Sequence, residues 1–240
     1  MASTSEVGHN KNAANFGAAC QILVEMGAIY NPTNATIKLP NLNPVKTALT
    51  LTITTLNQKT PIYKNAVADR ETEIAQLPKL ATRSLNFAKS TTISAKDKEV
   101  LVSMVKKIRG DQKNQIINPE TAETSTISTA QLSYDSQIAN FDIYINQLAS
   151  HPEYIPNEND LKIITFQNYH QTLSTMTSLV NATGNTIITA RKGRNKILYF
   201  NTVNVIQLIR EIKAYLKSLG EEGKPYYDAL LKLKFKDIKR

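Results

Sequence analysis

The sequence predicts an all-α protein, an elongated helical bundle built from two duplicated helix–loop–long-helix halves. Three observations point there. Apolar residues recur at three-and-four spacing over long stretches, the pattern of helices with one buried stripe. Glycine is scarce, with 8 among 240 residues, and tryptophan is absent, a composition ill suited to a turn-rich β fold. Finally, "YNPTNATIKL" at 30–39 returns as "YIPNENDLKI" at 154–163, each following a helical stretch that carries Ala-Asn-Phe, at Ala14-Asn15-Phe16 and Ala139-Asn140-Phe141.

Sliding the chain by 124 residues superposes Tyr30 on Tyr154, Pro32 on Pro156, Lys38 on Lys162, Leu49 on Leu173, Asn57 on Asn181, Ala66 on Ala190 and Arg70 on Arg194. A repeat of this length exceeds a solenoid unit and reads as an old duplication. The elements follow in order. A helix near 12–29 ends at "YNPTN", and a loop rich in proline and asparagine covers 31–44. A long helix begins near Pro44-Val45, with Pro61 and Pro78 expected to bend or split it, since each removes a backbone donor. A helix over 94–109 starts at the Ser94 cap and stops at Gly110. Residues 111–128, "DQKNQIINPETAETSTIS", lack apolar periodicity and read as a connector.

In 129–149 the residues Leu132, Ile138, Phe141, Ile145 and Leu148 mark an amphipathic helix that His151-Pro152 ends. Asn157 or Asn159 then offers an N-cap. The helical pattern runs from there to Leu219, with a break or kink expected near 184–193, because Gly184 and Gly193 each weaken a helix by about 1 kcal/mol relative to alanine. Gly220 is a fitting stop, and 223–234 forms a short helix or hook. The predicted organisation is therefore 1–110 as an N-terminal helical half, 111–128 as connector, and 129–240 as a C-terminal helical half with a basic tail.

Charge is segregated along the chain. Net charge is +2 over 1–60, +5 over 61–110, −6 over 111–188 and +8 over 189–240. An acidic surface on one copy can meet a basic surface on the next, which favours head-to-tail assembly. The basic runs "ARKGRNK" (190–196) and "LLKLKFKDIKR" (230–240) also suit phosphate contacts, although lysine-rich helices commonly present a solvated face.

Catalytic signatures are missing. His9, His151 and His170 are far apart in sequence and none sits in H-E-x-x-H; no P-loop and no Gly-x-Ser-x-Gly elbow occurs. "GEEGKP" (220–225) has the wrong spacing for a phosphate loop and reads as the end of a helix. The carboxylates Asp69/Glu71/Glu73 and Glu221/Glu222 stand beside Lys and Arg as surface ion pairs. The single cysteine, Cys20, lies in the apolar run "AACQILVEMGAIY" and should be buried. No enzyme, metal or organic cofactor is expected. "MASTSEVGHNKNAANF" has no basic stretch followed by an apolar one, and no segment is long and apolar enough to span a bilayer, so a cytoplasmic location is expected.

The segments "YIPNENDLKI", "ITARKGRNKILYFN", "IREIKAYLKSLG" and "KPYYDALLKLKF" together resemble an uncharacterised family of bacterial proteins predicted to be helical. The resemblance covers roughly 130–238, with weaker echoes before that, and is carried by Tyr154, Pro156, Asn157, Glu158, Ala190, Arg191, Arg194, Asn195, Leu198, Tyr199, Lys213, Tyr215, Lys217, Ser218, Tyr226, Leu233, Lys234 and Phe235. The chain departs from it at Gly220, where an aromatic often follows "KSL". The resemblance implies no activity. It marks R-x-x-R-N-x-x-L-Y as a functional or packing signature, the packing version placing Leu198 and Tyr199 in the core and pairing Arg191 and Arg194 with acidic groups on a neighbouring helix or a neighbouring copy.

The function expected is that of a non-enzymatic structural protein that assembles with itself, as a homo-oligomer, or docks in a larger particle. The interaction candidates are Arg191, Arg194, Lys213, Lys217, Lys232, Lys234 and Lys236. Nucleic acid and a membrane are the alternative partners, and no small-molecule substrate is expected.

Overall fold

The structure, a computed structural model, describes residues 4–110, 113–117, 124–128 and 133–237. Among these the regular secondary structure is helical except for one hairpin. The helices are α1 (Thr4–Glu25), α2 (Leu39–Ile74), α3 (Leu77–Ser90), α4 (Ala95–Arg109), α5 (Tyr134–Ala149), α6 (Ile163–Asn195), α7 (Val205–Ser218) and α8 (Lys224–Lys232). Short 3-10 turns at Ala35–Ile37 and Asn159–Leu161 introduce the two long helices, α2 and α6. The hairpin pairs β1 (Lys113–Ile117) with β2 (Thr124–Ser128) in antiparallel register, Lys113 opposite Ser128.

Most helix ends lie where their residues predict. Ser94 accepts from the Asp97 amide to start α4, and Gly110 closes it at φ 76°, the left-handed conformation that glycine adopts without a Cβ clash. Ser133 caps α5 by accepting from the Ser136 amide, and α5 stops before His151-Pro152. Gly220 follows α7 at φ 62°. Gly223 is required for a different reason: a methyl there would lie 2.2 Å from the Leu216 carbonyl oxygen.

Other boundaries differ from expectation. The helix expected over 12–29 is α1, which stops at Glu25 and gives way to a 3-10 turn at Gly27–Ile29. The second helix starts at Leu39, ahead of Pro44, because a proline in the first turns removes few intrahelical bonds. Pro61 lies within α2 without splitting it, whereas Pro78 opens α3 as one of its first residues. Neither Asn157 nor Asn159 caps α6. Asn159 instead belongs to the preceding 3-10 turn, where its carbonyl accepts from Thr165 Oγ1 at 2.7 Å. Gly184 and Gly193 are carried inside α6. The interruption comes later, through a π turn at Lys196–Phe200 and a bend to Asn204, whose side chain caps α7. Part of the connector forms the hairpin, while Leu132 and the start of the helix expected from 129 lie outside the described residues.

The chain divides into two compact units, Met1–Ile62 with Gly184–Arg240, and Tyr63–Thr183. These do not follow the sequential halves 1–110 and 129–240. Long helices place their two ends in different cores, so α2 and α6 each contribute to both units. The first unit takes α1 and the start of α2, closed by the end of α6 with α7 and α8. Its core includes Phe16, Leu23, Leu42, Leu198, Ile212 and Leu230. The second takes α5 and the start of α6, closed by the end of α2 with α3 and α4. Its core includes Phe141, Leu148, Phe166, Leu77, Leu101 and Ile108. Cys20 is buried in the first core, where desolvation raises its thiol pKa.

The same corner appears once in each unit. Tyr30 donates its hydroxyl to the Ile37 carbonyl at 2.6 Å, and Tyr154 donates to Leu161 at 3.0 Å. Pro32 and Pro156 are buried beneath. The Tyr30 ring meets Tyr215 edge-on at 5.5 Å, and the Tyr154 ring meets Phe87 at 5.2 Å. One helical turn before these aromatics, Glu211 accepts from Asn34 and Thr36, and Arg83 pairs with Asp160.

Two outcomes test this account. Tyr30→Phe and Tyr154→Phe each leave a buried carbonyl without its donor, and each should lower stability by about 1–3 kcal/mol in urea unfolding. Tyr63→Phe, on the half-buried side of α2, should have little effect.

The second concerns pH. Desolvation holds the phenols of Tyr30, Tyr144, Tyr154 and Tyr199 above the ordinary tyrosine value, and that of Tyr169 at about 12. In the unfolded chain they ionise near about 10. The folded state therefore keeps protons that the unfolded state sheds. This stabilisation is complete below about pH 10 and is lost as pH rises through the folded values. Denaturation midpoints should fall across that window, with phenolate absorbance from these five tyrosines appearing only as helicity is lost.

Candidate functional site

Among the described residues the buried polar side chains are His9, Asn12, Ser84 and Arg194. Ser84 is satisfied inside the second unit by Tyr144, at 2.8 Å. His9, Asn12 and Arg194 lie in the first unit and converge on Tyr199. The helical spacing of α1 presents His9, Asn12 and Phe16 on one stripe. The π turn after α6 carries an extra residue per turn, turning Leu198 and Tyr199 inward while Phe200 stays exposed.

Asn12 organises the cluster. Its Nδ2 donates to Tyr199 Oη at 2.9 Å and to the Lys236 carbonyl at 2.7 Å, and its Oδ1 accepts from the Lys236 amide at 3.0 Å. The side-chain amide thus pairs with a peptide group as a neighbouring strand would. Asn15, one turn along, donates to the Lys234 carbonyl at 2.8 Å. Tyr199 Oη lies 2.8 Å from His9 Nδ1. A phenol oxygen has one proton to give and two lone pairs to receive, so the hydroxyl can accept from Asn12 and still pair with His9 Nδ1 as either donor or acceptor, according to the imidazole tautomer. Burial raises the Tyr199 pKa, with the Asn12 hydrogen bond and the Arg194 charge opposing and Asp237 reinforcing. Tyr199 therefore stays a neutral hydroxyl, and the arrangement fastens the C-terminal segment across α1.

Beside this cluster a groove of about 310 Å³ runs between α7 and the segment that follows α8. Ile206, Ile209, Leu231, Leu233 and Phe235 supply its apolar wall, and Arg210, Lys213, Lys234 and Asp237 its polar one. Arg210 Nη2 lies 3.7 Å from Asp237 Oδ2. Lys213 is half-buried, and its pKa is lowered by desolvation and then by the charge of Lys234.

The structure separates the interaction candidates. Arg194 is not a surface contact: it is 1% exposed, and its Nε and Nη2 donate to Asn195 Oδ1 at 3.1 Å. Arg191, Lys217, Lys232, Lys234 and Lys236 are exposed. Only Lys213 and Lys234 are brought together, in the groove. Lys236 matters through its backbone, held by Asn12. Lys239 and Arg240 lie outside the described residues. Sequence reasoning missed His9, Asn12, Asn15 and Asp237 as members of a site. The one available signal was the spacing of Asn12 and Asn15 on a helix where asparagine is a poor former. Among the described residues no three His, Cys, Asp or Glu side chains are grouped to hold a metal ion, and no helix is long and apolar enough to cross a membrane.

Replacing Asn12 and Asn15 with leucine should release the segment after α8. Trypsin should then cut after Lys234 and Lys236 at least severalfold faster than in the parent, with helicity unchanged. Asn12→Ala alone should lower stability by about 1–3 kcal/mol, since three hydrogen bonds are lost. Equal trypsin rates would show that the amide contacts do not hold the segment.

No family model, curated protein or solved structure matches this chain.

Proposed function

We propose that the chain is a non-enzymatic helical scaffold protein that assembles with further copies of itself. The observation that carries this reading is a pair of oppositely charged grooves on the second unit. Between the end of α3 and α4, a groove of about 560 Å³ sets Lys89, Lys98 and Lys106 around Ala95 and Val102, with Glu99 also on its wall. Between α5 and α6, a groove of about 450 Å³ sets Asp135 and Asp142 beside Ile138, Ala139 and the exposed Ile143. The acidic groove of one copy complements the basic groove of the next. Such a contact joins unlike surfaces, so it builds rings or filaments rather than a two-fold dimer. Leu51 and Ile62 on α2, and Leu179 and Ile188 on α6, are exposed and add apolar surface.

The same reading includes a duplicated ancestor. It is supported by the matching tyrosine corners and by Arg70 and Arg194, which stand at equal distances along their long helices. Arg70 lies over the Tyr134 ring at the start of α5, 4.7 Å from its centroid. Each half supplies its first helix and corner to one unit and its last two helices to the other, as in a domain-swapped pair.

Light scattering should find a mass above that of one chain, decreasing as salt rises. Lys89→Glu/Lys106→Glu and Asp135→Lys/Asp142→Lys should each assemble less, and a one-to-one mixture should recover the larger mass. Lys98 is kept because its ammonium donates to the Thr91 carbonyl at 2.7 Å. A monomer at every concentration and salt would refute the reading. Salt-sensitive binding of DNA or RNA by that monomer, or leakage of liposomes exposed to it, would favour the alternative partners.

A further inference from the structure

We propose that the groove between α7 and the segment after α8 binds a small amphipathic anion, one carboxylate or phosphate head on a short apolar body. The inference goes beyond self-assembly and does not rest on it. It also departs from the expectation that the chain takes no small-molecule partner.

Three features of the groove point to this ligand. Its cations are not balanced. Arg210 is engaged by Asp237, but among the described residues neither Lys213 nor Lys234 forms an ion pair. Lys213 is half-buried against Ile209 and its neighbours and faces a like charge. Two lysines lining one groove beside an apolar wall repel each other, and an anion held between them offsets that repulsion.

The second feature is the wall itself. Leu231, 40% exposed, with Leu233 and Phe235, forms an apolar surface directly beside the ammonium groups. A bare phosphate would leave that surface in water, whereas an alkyl chain covers it. The volume, about 310 Å³, is at the lower end of the range for small-molecule pockets, about 300–1,000 Å³, and suits a short chain.

The third is preorganisation. The segment bearing Lys234 is held by its backbone, through Asn15 to the Lys234 carbonyl and Asn12 to the Lys236 peptide. Part of the ordering cost of binding is therefore met in the free protein.

Titration calorimetry on the full chain, with octanoate, octyl phosphate, inorganic phosphate and octanol, tests the proposal. Octanoate, octyl phosphate or both should bind one per chain, and the tighter of the two identifies the head group. Inorganic phosphate and octanol should bind at least about tenfold more weakly, each lacking one half of the recognition. Lys213→Met should weaken binding by about tenfold or more, and Lys234→Met should do the same. Lys217→Met, exposed on the same helix, should bind as the parent does. Lys213→Met removes a repelled, half-buried charge, so its melting temperature should be unchanged or higher, which separates lost binding from lost folding. The proposal is overturned if neither amphiphile binds saturably, if inorganic phosphate binds as tightly as octyl phosphate, or if Lys213→Met binds octanoate and octyl phosphate unchanged.

Discussion

Each unit depends on one hydrogen bond, from a buried tyrosine hydroxyl to a carbonyl seven residues on. Between a first helix and a long helix the chain must turn while leaving unpaired backbone groups on both sides. Tyr30 and Tyr154 solve this with one side chain: the hydroxyl satisfies the carbonyl of Ile37 or Leu161, and the ring fills the space under the turn. The edge-on aromatic partner, Tyr215 or Phe87, comes from the opposite half of the chain. The corner therefore sets the local turn and docks the other half upon it at the same place.

That docking explains why the compact units cut across the sequence. A long helix with Leu42 near one end and Ile74 near the other buries those residues in separate cores. Neither α1 with its corner nor α5 with its corner closes a core unaided. In each case the closing layer is a helical pair, α7 with α8 or α3 with α4, from the other half. Long-range contacts thus carry much of each core, although most of the backbone hydrogen bonding is local.

The first unit differs from the second where α4 continues as helix while the chain after α8 runs extended over α1. An extended segment brings peptide groups that no helix satisfies, and burying them requires partners. Asn12 and Asn15 supply these from a helix surface, and Tyr199, turned inward by the π turn, anchors Asn12 from below. The charge distribution follows from the same geometry. Arg194 is drawn into the interior beside Tyr199, while Lys213 and Lys234 are left lining one groove.

Much of the local structure was legible in the residues themselves. Ser94 and Gly110 bracket α4, His151-Pro152 and Gly220 mark helix ends, and the paired Tyr-x-Pro segments mark corners, because capping, proline geometry and left-handed glycine act within a few residues. The helical character of α6 was legible from its apolar spacing, but its end at Asn195 was not: the spacing runs on to Leu219 and the break is expected near 184–193. Gly184 and Gly193 only weaken a helix, and the break falls after Asn195, where packing of Leu198 and Tyr199 requires a wider turn. The candidate site was legible only in part. Lys213 and Lys234 stood out as charge, yet their meeting in one groove depends on how the chain after α8 lies across α7. Arg194 looked like a surface cation because its burial beside Tyr199 comes from tertiary packing that spacing along the chain does not report. Periodicity, caps and breakers are set by neighbours along the chain and so belong to the sequence alone. The mixing of segments from both ends of the chain in the first unit, the buried arginine and the two lysines in one groove arise from contacts between distant segments, and only the tertiary structure decided them.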